Sequence, residues 1–433
     1  MLHIGIDDTD SVKGGCTTWL ATEIIKELSD FDLIGSPRLV RLNPNVPWKT
    51  RGNGAVSFTF GKGKGAKEKI GEIGNFNIFS FKRGMPIRYD SHEILERIKA
   101  LVLQHSHPDS EPGIVVSEVF LPEGLYWQGV TDIVTDDILS DALQGTISFG
   151  LRGSRGLCGA ACSLAWSGSS NNINKISHTW ELIGYRKEAN WGKNRNISID
   201  SVNKISKLKG VFSCTDSDGK IAMVPNSPCP VLWGFRGTDD SILINNFHNL
   251  GPEKPVRWLL YRTNQATDDH LRFKEISNVK EGDCLRAEVI VSSISKIIEG
   301  GHRFFSAKDS SDEVLKCAAF EPTKDFRHVI DRLKIGDKLV VCGSVNNGTL
   351  NLEKIKITEL VTRFSKPPNP MCDCGKRTHS SGKNSYYRCK ACGKKYSRPA
   401  MIELDSELEL GWYEPPASSR RHLSTPVSMM PKL

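Results

Sequence analysis

The first 28 residues constrain the fold more than any other stretch, because they combine a strand pattern, an acidic turn and a helix pattern. Apolar side chains alternate with His3 and Gly5 along residues 2–6, which is the two-residue period of a β-strand. Apolar side chains then recur at helical spacing along residues 19–28, after a glycine-containing turn. The sequence therefore predicts a strand whose carboxyl end delivers an acidic turn to the start of an amphipathic helix.

Three carboxylates lie in this acidic turn, at Asp7, Asp8 and Asp10. They repel one another unless a cation or solvent relieves the repulsion, and proteins bind Mg²⁺ through one or two carboxylates together with phosphate oxygens. Thr17 and Thr18 stand at the predicted helix start, where unpaired backbone N–H groups attract an anion. The stretch is therefore a candidate phosphate and Mg²⁺ site, although the same residues also suit an ordinary capped turn. It is not a Walker A loop, because no Lys follows the glycines at the required position.

Two loops that combine cations with glycines are further candidates for binding phosphate. The first connects strands predicted at 38–42 and 55–60, and the second precedes a helix predicted at 160–165. A tight hairpin turn is the alternative for the first loop, and close packing of a helix is the alternative for the second. The phosphate-binding candidates in the two loops are Lys49, Arg51, Gly52, Asn53, Arg152 and Arg155.

Other stretches predict the elements around these loops. Residues 91–105 predict an amphipathic helix, and residues 135–143 predict a short helix with an acidic start. Residues 61–71, in which Lys and Gly dominate, predict a mobile loop. Residues 224–237 are too apolar for a linker and too rich in proline for a helix, so they predict a rigid segment that lines a pocket or caps the core.

Beyond residue 268, short strands separated by glycine-containing turns replace the mixed pattern. One helix, at 326–333, is predicted between the third and the fourth of these strands. This order predicts an OB-fold, a small five-stranded barrel that binds oligonucleotides, although other small barrels share the same turns. The predicted strands are 284–292, 303–308, 315–320, 338–345 and 349–357.

Four of the twelve cysteines form two short pairs, which predict a zinc site. Cys372 and Cys374 are separated by one residue, whereas the first pair of a zinc ribbon commonly has two intervening residues, and Cys389 and Cys392 are separated by two. Four thiolates fill the coordination sphere of Zn²⁺, so the site is predicted to be structural. The other eight cysteines are scattered among apolar runs and are predicted to be core residues in a reducing compartment.

The net charge of +8 is concentrated around these cysteines, because residues 366–400 contain nine Lys or Arg and one Asp. A basic module on an otherwise neutral chain indicates contact with a nucleic-acid backbone, and a solvated surface is the alternative. Aromatic rings among the cations suit stacking on RNA bases. The RNA-binding candidates are Tyr386, Tyr387, Arg388 and Lys390.

No segment approaches the roughly 18 consecutive apolar residues that a membrane-spanning helix needs. The first four residues already follow the strand pattern, which predicts that the chain has no leader and is cytoplasmic, without a membrane partner. Residues 401–433 are acidic and then rich in Ser, Pro and Arg, which predicts a weakly ordered tail.

In their order along the chain, these stretches resemble the archaeal tRNA-Ile 2-agmatinylcytidine synthetases. The resemblance rests on Gly-Ile-Asp-Asp-Thr-Asp-Ser at 5–11, Cys-Thr-Thr at 16–18 and Lys-Thr-Arg-Gly-Asn-Gly at 49–54. It continues through Arg-Gly-Leu-Cys-Gly-Ala at 155–160 to the barrel and the zinc ribbon, although Cys158 replaces an expected aliphatic residue. The resemblance implies a multidomain α+β protein with a kinase-like α/β domain at 1–145, a ferredoxin-like domain at 146–268, an OB-fold at 278–362, a zinc ribbon at 366–400 and a tail at 401–433.

The resemblance also implies a ligase that forms a C–N bond. Such enzymes use ATP to activate the C2 carbonyl of the wobble cytidine in the AUA-decoding tRNA-Ile, whose anticodon is CAU. Agmatine then displaces the activated oxygen, which gives 2-agmatinylcytidine and releases AMP and phosphate. By resemblance, Asp7, Asp8 and Asp10 would hold Mg²⁺ beside the triphosphate, and Thr17, in preference to Thr18, would be autophosphorylated.

Agmatine carries a guanidinium and an amine, so its pocket should offer carboxylates and an aromatic surface. The candidates are Asp132, Asp136, Asp137 and Trp127. Two other functions stay open from the residues alone. The first is a non-catalytic tRNA or single-strand RNA-binding protein, in which the acidic turn is a plain loop. The second is an RNA ligase or nucleotidyltransferase, which requires a Lys–AMP adduct, and the sequence contains no Lys-x-Asp-Gly motif for it.

Overall fold

The structure is a computed structural model that describes residues 1–50, 52–168, 176–216, 218–382 and 385–430. The N-terminal 263 residues build one large sheet, whose strands are β1 (Leu2–Asp7), β2 (Asp32–Ile34), β3 (Arg38–Arg41), β4 (Gly54–Ile73), β5 (Phe76–Met85), β6 (Gly113–Ser117), β7 (Ile147–Gly150), β8 (Thr179–Tyr185), β9 (Val211–Phe212), β10 (Val231–Gly237) and β11 (Arg257–Thr263). The strands are arranged in the order β7-β6-β1-β4-β3-β11-β8-β10-β9, with β2 and β5 beside β4. The helices of this part are α1 (Thr17–Glu27), α2 (Ser91–His105), α3 (Glu123–Thr131), α4 (Asp136–Ala142), α5 (Arg155–Ala165), α6 (Ile199–Ile205) and α7 (Asp240–Asn246).

The predicted strand, acidic turn and helix at the N-terminus are confirmed. Strand β1 lies between β4 and β6, and all of its residues are buried. Helix α1 follows the turn and buries Leu20, Ile24 and Leu28 in the same core as β1. The carboxyl end of β1 and the start of α1 therefore meet at one end of the sheet.

Helix α5 crosses β1 at short distance because glycines lie on both elements. A Cβ at Gly5 would lie 2.3 Å from the carbonyl oxygen of Ala160, and a Cβ at Gly159 would lie 1.7 Å from a carboxylate oxygen of Asp7. The helix begins at Arg155, so the prediction of a glycine-rich turn up to residue 160 is wrong. The glycines set α5 directly against the acidic turn.

The prediction of a mobile loop at 61–71 is also wrong, because β4 continues through this stretch and forms a hairpin with β5. Ile70 and Ile78 are 3% and 2% exposed, so they anchor the hairpin in the core. The end of β4 also pairs with β11. The low β-propensity of Lys and Gly is overridden by these long-range pairings.

A closed five-stranded barrel with a helix between its third and fourth strands follows, as predicted. The five barrel strands are β13 (Cys284–Val291), β15 (Arg303–Lys308), β16 (Val314–Ala319), β17 (Lys338–Asn346) and β18 (Thr349–Glu359), and the helix is α8 (Phe326–Arg332). Two short strands, β12 (Arg272–Phe273) and β14 (Lys296–Ile297), pair with β13 and β15. Strand β13 pairs with β15 and β17, β15 pairs with β16, and β18 pairs with both β16 and β17, which closes the ring. Leu285, Val341 and Ile355 are fully buried inside it.

The zinc ribbon is an insertion that leaves the barrel and returns to it. Strands β19 (Arg363–Ser365) and β23 (Ile402–Leu404) pair at its base. The ribbon itself contains β20 (His379–Ser380), β21 (Tyr387–Arg388) and β22 (Lys395–Tyr396). Within the part of the chain that the structure describes, no helix is long and apolar enough to span a membrane.

The prediction of a weakly ordered tail is wrong for residues 411–430. Strand β24 (Gly411–Tyr413) pairs with β18 of the barrel, and Thr425 is fully buried. Lys354 of the barrel donates to both carboxylate oxygens of Asp268 at 2.8 and 2.9 Å and to the carbonyl of Thr425 at 2.8 Å. The partners that order the tail are distant in sequence, so no local pattern indicated them.

Candidate active site

The acidic turn, the start of α1 and the loop between β3 and β4, which we call the basic loop, line one cavity of about 850 Å³. Strands β8 and β10, the segment 221–231 and the tail residues 417–424 contribute further lining residues. The predicted residues that line the cavity are Asp7, Asp8, Asp10, Thr17, Thr18, Lys49, Gly52, Asn53 and Arg155. The predicted Arg51 lies outside the described residues. The fold thus brings stretches that are far apart in the sequence to one cavity.

The acidic turn carries closely spaced and largely desolvated carboxylates. Asp7 is 9% exposed, and burial together with the neighbouring Asp8 raises the pKa of Asp7 well above its usual range. Burial and Asp10 raise the pKa of Asp8 to about 6. A bound cation would lower the pKa of both groups, because it favours their charged forms.

These oxygen ligands fit the chemistry of Mg²⁺. Among the described residues, no three carboxylate or histidine groups bring their ligand atoms within 4.8 Å of one another. The acidic turn is therefore not a closed metal cage of protein ligands. An open arrangement suits Mg²⁺, which takes one or two carboxylates and completes its shell with phosphate oxygens and water.

The first turn of α1 presents its backbone N–H groups near the acidic turn. Cys16 has an extended backbone at the N-cap position, and its side chain makes no capping hydrogen bond. Thr9 donates to the hydroxyl of Thr17 at 3.0 Å, and the hydroxyl of Thr18 lies 3.1 Å from the Cys16 sulfur. An anion at this position would be stabilised by the N–H groups and the helix dipole. Both threonine hydroxyls line the cavity, so the preference for Thr17 stays a prediction.

Two tyrosines from the second half of the sheet hold this helix turn in place. Tyr185 of β8 and Tyr261 of β11 donate their hydroxyls to the carbonyl oxygen of Thr18 at 2.9 and 2.7 Å. Both tyrosines are fully buried, and burial raises their pKa well above the usual range, so both remain protonated donors. Sequence analysis missed them because they resemble ordinary core residues of a strand.

The basic loop closes onto the acidic turn. The hydroxyl of Thr50 donates to Asp10 at 3.3 Å. The ammonium of Lys49 donates to a carbonyl of its own loop, and partial burial lowers the pKa of Lys49. Asn53 has a φ of +46°, a backbone conformation that Asn tolerates better than most residues. The loop therefore contacts the acidic turn through Thr50, and Lys49 lines the same cavity.

The two arginines of the second glycine-containing loop have different positions. Arg155 lines the cavity, where its guanidinium lies 3.5 Å from Glu111 and 5.4 Å from the centre of the Trp48 ring. Arg152 instead donates to backbone carbonyls, including that of Ser110 at 3.2 Å, and it is absent from the described cavity lining. The geometry therefore supports a phosphate-binding role for Arg155 and gives Arg152 a structural contact.

A buried ionic cluster, which no local sequence pattern indicates, joins side chains that are far apart in the chain. Arg236 donates to Glu181 at 2.9 Å, Arg41 lies 3.7 Å from the same carboxylate, and Gln265 donates to it as well. Glu181 is 2% exposed. Burial alone would raise its pKa, but the charges of Arg236 and Arg41 hold the pKa of Glu181 below its usual range. This carboxylate is thus ionised and already satisfied by protein partners.

The C-terminal tail adds polar groups to the cavity. The His422 ring faces into it, and enclosure by the protein together with the charges of Arg41 and Arg236 lowers the pKa of His422 well below its usual range. Arg420 donates to Glu414 at 2.7 Å and to the Ser213 hydroxyl at 3.2 Å. The tail therefore contributes a neutral imidazole and a guanidinium that local sequence patterns did not indicate.

A single arginine holds the proline-rich segment at 224–237 beside the cavity. The segment lines the cavity, which is one of the two roles predicted for it. Arg195 donates at 2.8 to 3.1 Å to the carbonyls of Pro225, Ser227, Cys229 and Val231. These four bonds fix a segment that has little regular secondary structure of its own.

The agmatine candidates are also divided between two environments. Asp132 and Asp136 line the cavity. Asp137 is exposed on α4, and the Trp127 ring lies 4.9 Å from the guanidinium of Arg272. Neither Asp137 nor Trp127 belongs to the described cavity lining. Only the first two carboxylates are therefore placed to meet a cationic ligand in the cavity.

The four clustered cysteines form a second centre, outside the cavity. Cys372 Sγ lies 3.3 Å from Cys392 Sγ, and Cys374 Sγ lies 3.5 Å from Cys389 Sγ. All four sulfur atoms lie within 4.8 Å of one another. Four convergent thiols have the ligand set of a structural Zn²⁺ site, so the short spacing of the first pair does not prevent convergence.

The RNA-binding candidates of the ribbon differ in accessibility. Tyr387 is 2% exposed, so its ring is part of the ribbon core and is not available to stack on a base. Tyr386 is 38% exposed, and Arg388 and Lys390 are also exposed. Contact with RNA therefore stays a prediction for these three residues.

Comparison with known families matches three regions of the chain. Residues 3–149 match the model described as the TiaS TCKD domain, residues 154–270 match the TiaS FLD domain, and residues 369–408 match the TiaS C-terminal zinc ribbon domain. Together these matches cover most of the sequence and include the cysteine cluster and the cavity residues up to Gln265, whereas the tail residues 417–424 of the cavity lie outside them.

Full-length relatives agree with these matches. The isoleucine-tRNA 2-agmatinylcytidine synthetase TiaS of Methanosarcina acetivorans is 36% identical over 431 residues, which cover 98% of this chain and 96% of that protein. The crystal structure of TiaS in complex with its isoleucine tRNA and ATP has a TM-score of 0.83 at 32% identity, and covers 100% of this chain and 98% of that one. The crystal structure of TiaS in complex with the same tRNA, AMPCPP and agmatine has a TM-score of 0.78 at 30% identity, and covers 99% and 97%.

Proposed function

The chain belongs to the TiaS family of isoleucine-tRNA 2-agmatinylcytidine synthetases, and from that premise we propose that it conjugates agmatine to C2 of the wobble cytidine of its tRNA-Ile with consumption of ATP. One observation carries this function to the present residues. The acidic turn, the start of α1 and the basic loop line a single cavity together with Arg155. A non-catalytic RNA-binding protein would not require these groups to converge.

The chemistry explains why such a cavity is needed. A cytosine carbonyl is a poor electrophile, so its oxygen must become part of a phosphoryl leaving group before an amine can replace it. The agmatine amine then forms the new bond to C2, and the oxygen departs with the phosphoryl group. Phosphoryl transfer depends mainly on positioning and on charge stabilisation, which fixed cations and N–H groups supply.

We assign roles to the cavity residues on this basis. Asp7, Asp8 and Asp10 would hold Mg²⁺, which neutralises the triphosphate when it is bound. Lys49 and Arg155 line the cavity and would bind phosphate oxygens. The N–H groups of the first α1 turn would receive a phosphate next to the Thr17 hydroxyl, the proposed acceptor.

Agmatine requires a carboxylate that is not already neutralised by the protein. Glu181 is paired with two arginines, so it is a poor partner for another guanidinium. Asp132 and Asp136 line the cavity from the α3–α4 region, and we assign the cationic ends of agmatine to these two carboxylates. Asp137 and Trp127 lie outside that lining and are not part of this assignment.

The larger units have corresponding roles in the proposal. Residues 1–145 would form a kinase-like unit and residues 146–268 a ferredoxin-like unit. Both stretches contribute strands to the same sheet and residues to the cavity, which supports a shared active site. The barrel at 278–362 would act as an OB-fold, and with the ribbon at 366–400 it would bind the tRNA away from the anticodon. Because the barrel and the ribbon would bind other parts of the tRNA, the anticodon would be free to enter the cavity.

The proposal is tested by incubating the protein with ATP, Mg²⁺, agmatine and a tRNA-Ile transcript with a CAU anticodon, followed by mass spectrometry of the nucleosides. A cytidine that is heavier by the agmatine adduct, and that requires every component, is the expected result. Asp8→Ala should abolish the adduct while tRNA binding persists, whereas Asp200→Ala, an exposed carboxylate on α6, should not affect either. Unmodified cytidine with intact tRNA binding would instead support the non-catalytic alternative.

A further inference from the structure

Residues 62–85, the hairpin formed by the end of β4 and by β5, carry a second concentration of positive charge outside the zinc ribbon. This basic hairpin contains six Lys or Arg and two Glu. All six cations are exposed. They are Lys62, Lys64, Lys67, Lys69, Lys82 and Arg83.

The two carboxylates of the basic hairpin neutralise only two of these cations. Glu72 pairs with Lys69, and Glu68 pairs with Lys82 at 2.8 Å. Lys67 lies against an aromatic ring, with its ammonium 4.3 Å from the centre of Phe79. Within the described part of the chain, four cations of the hairpin have no ion pair. One is Lys67, and the other three, which we call the unneutralised cations, are Lys62, Lys64 and Arg83.

The strand register places two of these cations directly opposite each other. Lys64 pairs with Arg83 in the antiparallel ladder, and Lys62 pairs with Met85. Like charges at opposed positions destabilise a sheet. The hairpin is instead anchored by Ile70 and by β11, so its fold does not depend on these charges. Charges that oppose stability and have no ion-pair partner indicate an external anion.

We propose that the basic hairpin binds the phosphate backbone of the substrate RNA, independently of base sequence. The inference rests on the proposed function, in which the substrate is a polyanion. A two-stranded ribbon with unneutralised cations suits such a backbone. Phe79, 36% exposed beside Lys67, adds a ring surface that a nucleotide could contact. The RNA would then be held by the sheet as well as by the zinc ribbon.

The test is the salt dependence of tRNA binding by the full chain and by the variant K62Q/K64Q/R83Q. Each phosphate contact contributes roughly 0.7 to the slope of log affinity against log salt, so the variant should lose about 2 from the slope. Its affinity should then fall about 20-fold less than that of the wild type between about 50 and 200 mM salt. Because the opposed Lys64 and Arg83 charges are removed, the melting temperature should not decrease.

The control variant K204Q/K207Q/K209Q removes the same charge from exposed lysines around the end of α6. Its slope should equal that of the wild type. An unchanged slope in the hairpin variant, or an equal loss in both variants, would overturn the assignment. Modification of the tRNA by the wild type is measured separately. If the slopes are as predicted but the tRNA is not modified, the proposed function is refuted and the contact between the hairpin and RNA is still supported.

Discussion

The close contact between α5 and the acidic turn makes Gly159→Ala a sharp test of how the site is built. In a helix interior, propensity alone favours Ala over Gly by roughly 0.5–1 kcal/mol. A Cβ at Gly159 would, however, lie 1.7 Å from Asp7 Oδ2 and 2.9 Å from Asp7 Cβ. Rotation of the carboxylate could relieve the first contact but not the second, so the helix or β1 must also shift.

The steric term should outweigh the propensity term. Forcing an extra methyl group into a packed interior costs about 1–3 kcal/mol, so the free energy of unfolding should decrease by about 1–2 kcal/mol in Gly159→Ala. A displacement of about 1 Å at the reacting groups costs on the order of 100-fold in rate, so activity should decrease more than stability does. Urea denaturation gives the first quantity, and the rate of agmatine transfer to tRNA-Ile gives the second.

Gly124 provides the matched control, because it lies in α3 and a Cβ there would meet no atom within 4 Å. Gly124→Ala should leave activity unchanged and stability equal or slightly higher. If Gly159→Ala is as stable and as active as Gly124→Ala, then α5 can move away from Asp7 without consequence. The reasoning that links the glycine to the carboxylate would then be refuted.

The raised pKa of Asp8, about 6, means that without divalent cation this carboxyl contributes stability that grows as the pH falls from about 7 to about 5, so in thermal unfolding the stability of the wild type relative to Asp8→Asn should rise over that range. Mg²⁺ should raise the melting temperature more at the upper end of that pH range, and an equal effect at both ends would contradict a carboxylate site. Tyr185→Phe and Tyr261→Phe should each lower the free energy of unfolding by about 1 kcal/mol, and together they should reduce protein phosphorylation by labelled ATP more than either does alone. Zinc chelation should unfold the ribbon and weaken tRNA binding while ATP turnover by the N-terminal units persists; simultaneous loss of both would argue against independent units. Arg421→Ala removes a 2.8 Å contact to the buried Glu353 and should lower the free energy of unfolding by about 1–3 kcal/mol in urea.

Elements with a clear periodicity were predictable from the sequence. The strand and helix at the N-terminus, the helix at Ser91–His105 and the barrel strands all lie where the apolar periods indicated. The strand conformation of residues 61–71 was not predictable, because Lys and Gly have low β-propensity and this part of β4 depends on pairing with β5 and β11. Local sequence patterns therefore predicted the elements that have an amphipathic face, and did not predict a strand that depends on long-range pairing.

The same distinction between local patterns and long-range contacts applies to the candidate site. Asp8, Thr17 and Lys49 could be proposed from the sequence because clustered carboxylates, a helix start and a cation beside glycines are visible as local patterns. Tyr185 and Glu181 were missed, because on a strand they cannot be distinguished from core or surface residues until the pairing is known. Their contacts join residues far apart in the sequence, such as the hydrogen bonds from Tyr185 to Thr18 and from Arg236 to Glu181.

The C-terminal tail connects the barrel with the cavity. The chain passes from the sheet to the barrel and the ribbon, and then returns through β24 on the barrel to place residues 417–424 in the cavity. The pair β19–β23 holds the base of the ribbon, so movement within the ribbon need not displace β24. Arg421 contacts Ser344 of the barrel and Pro44 of the basic loop at 2.7 Å each. One side chain therefore joins the barrel to the loop that lines the cavity, and these contacts exist without a bound substrate.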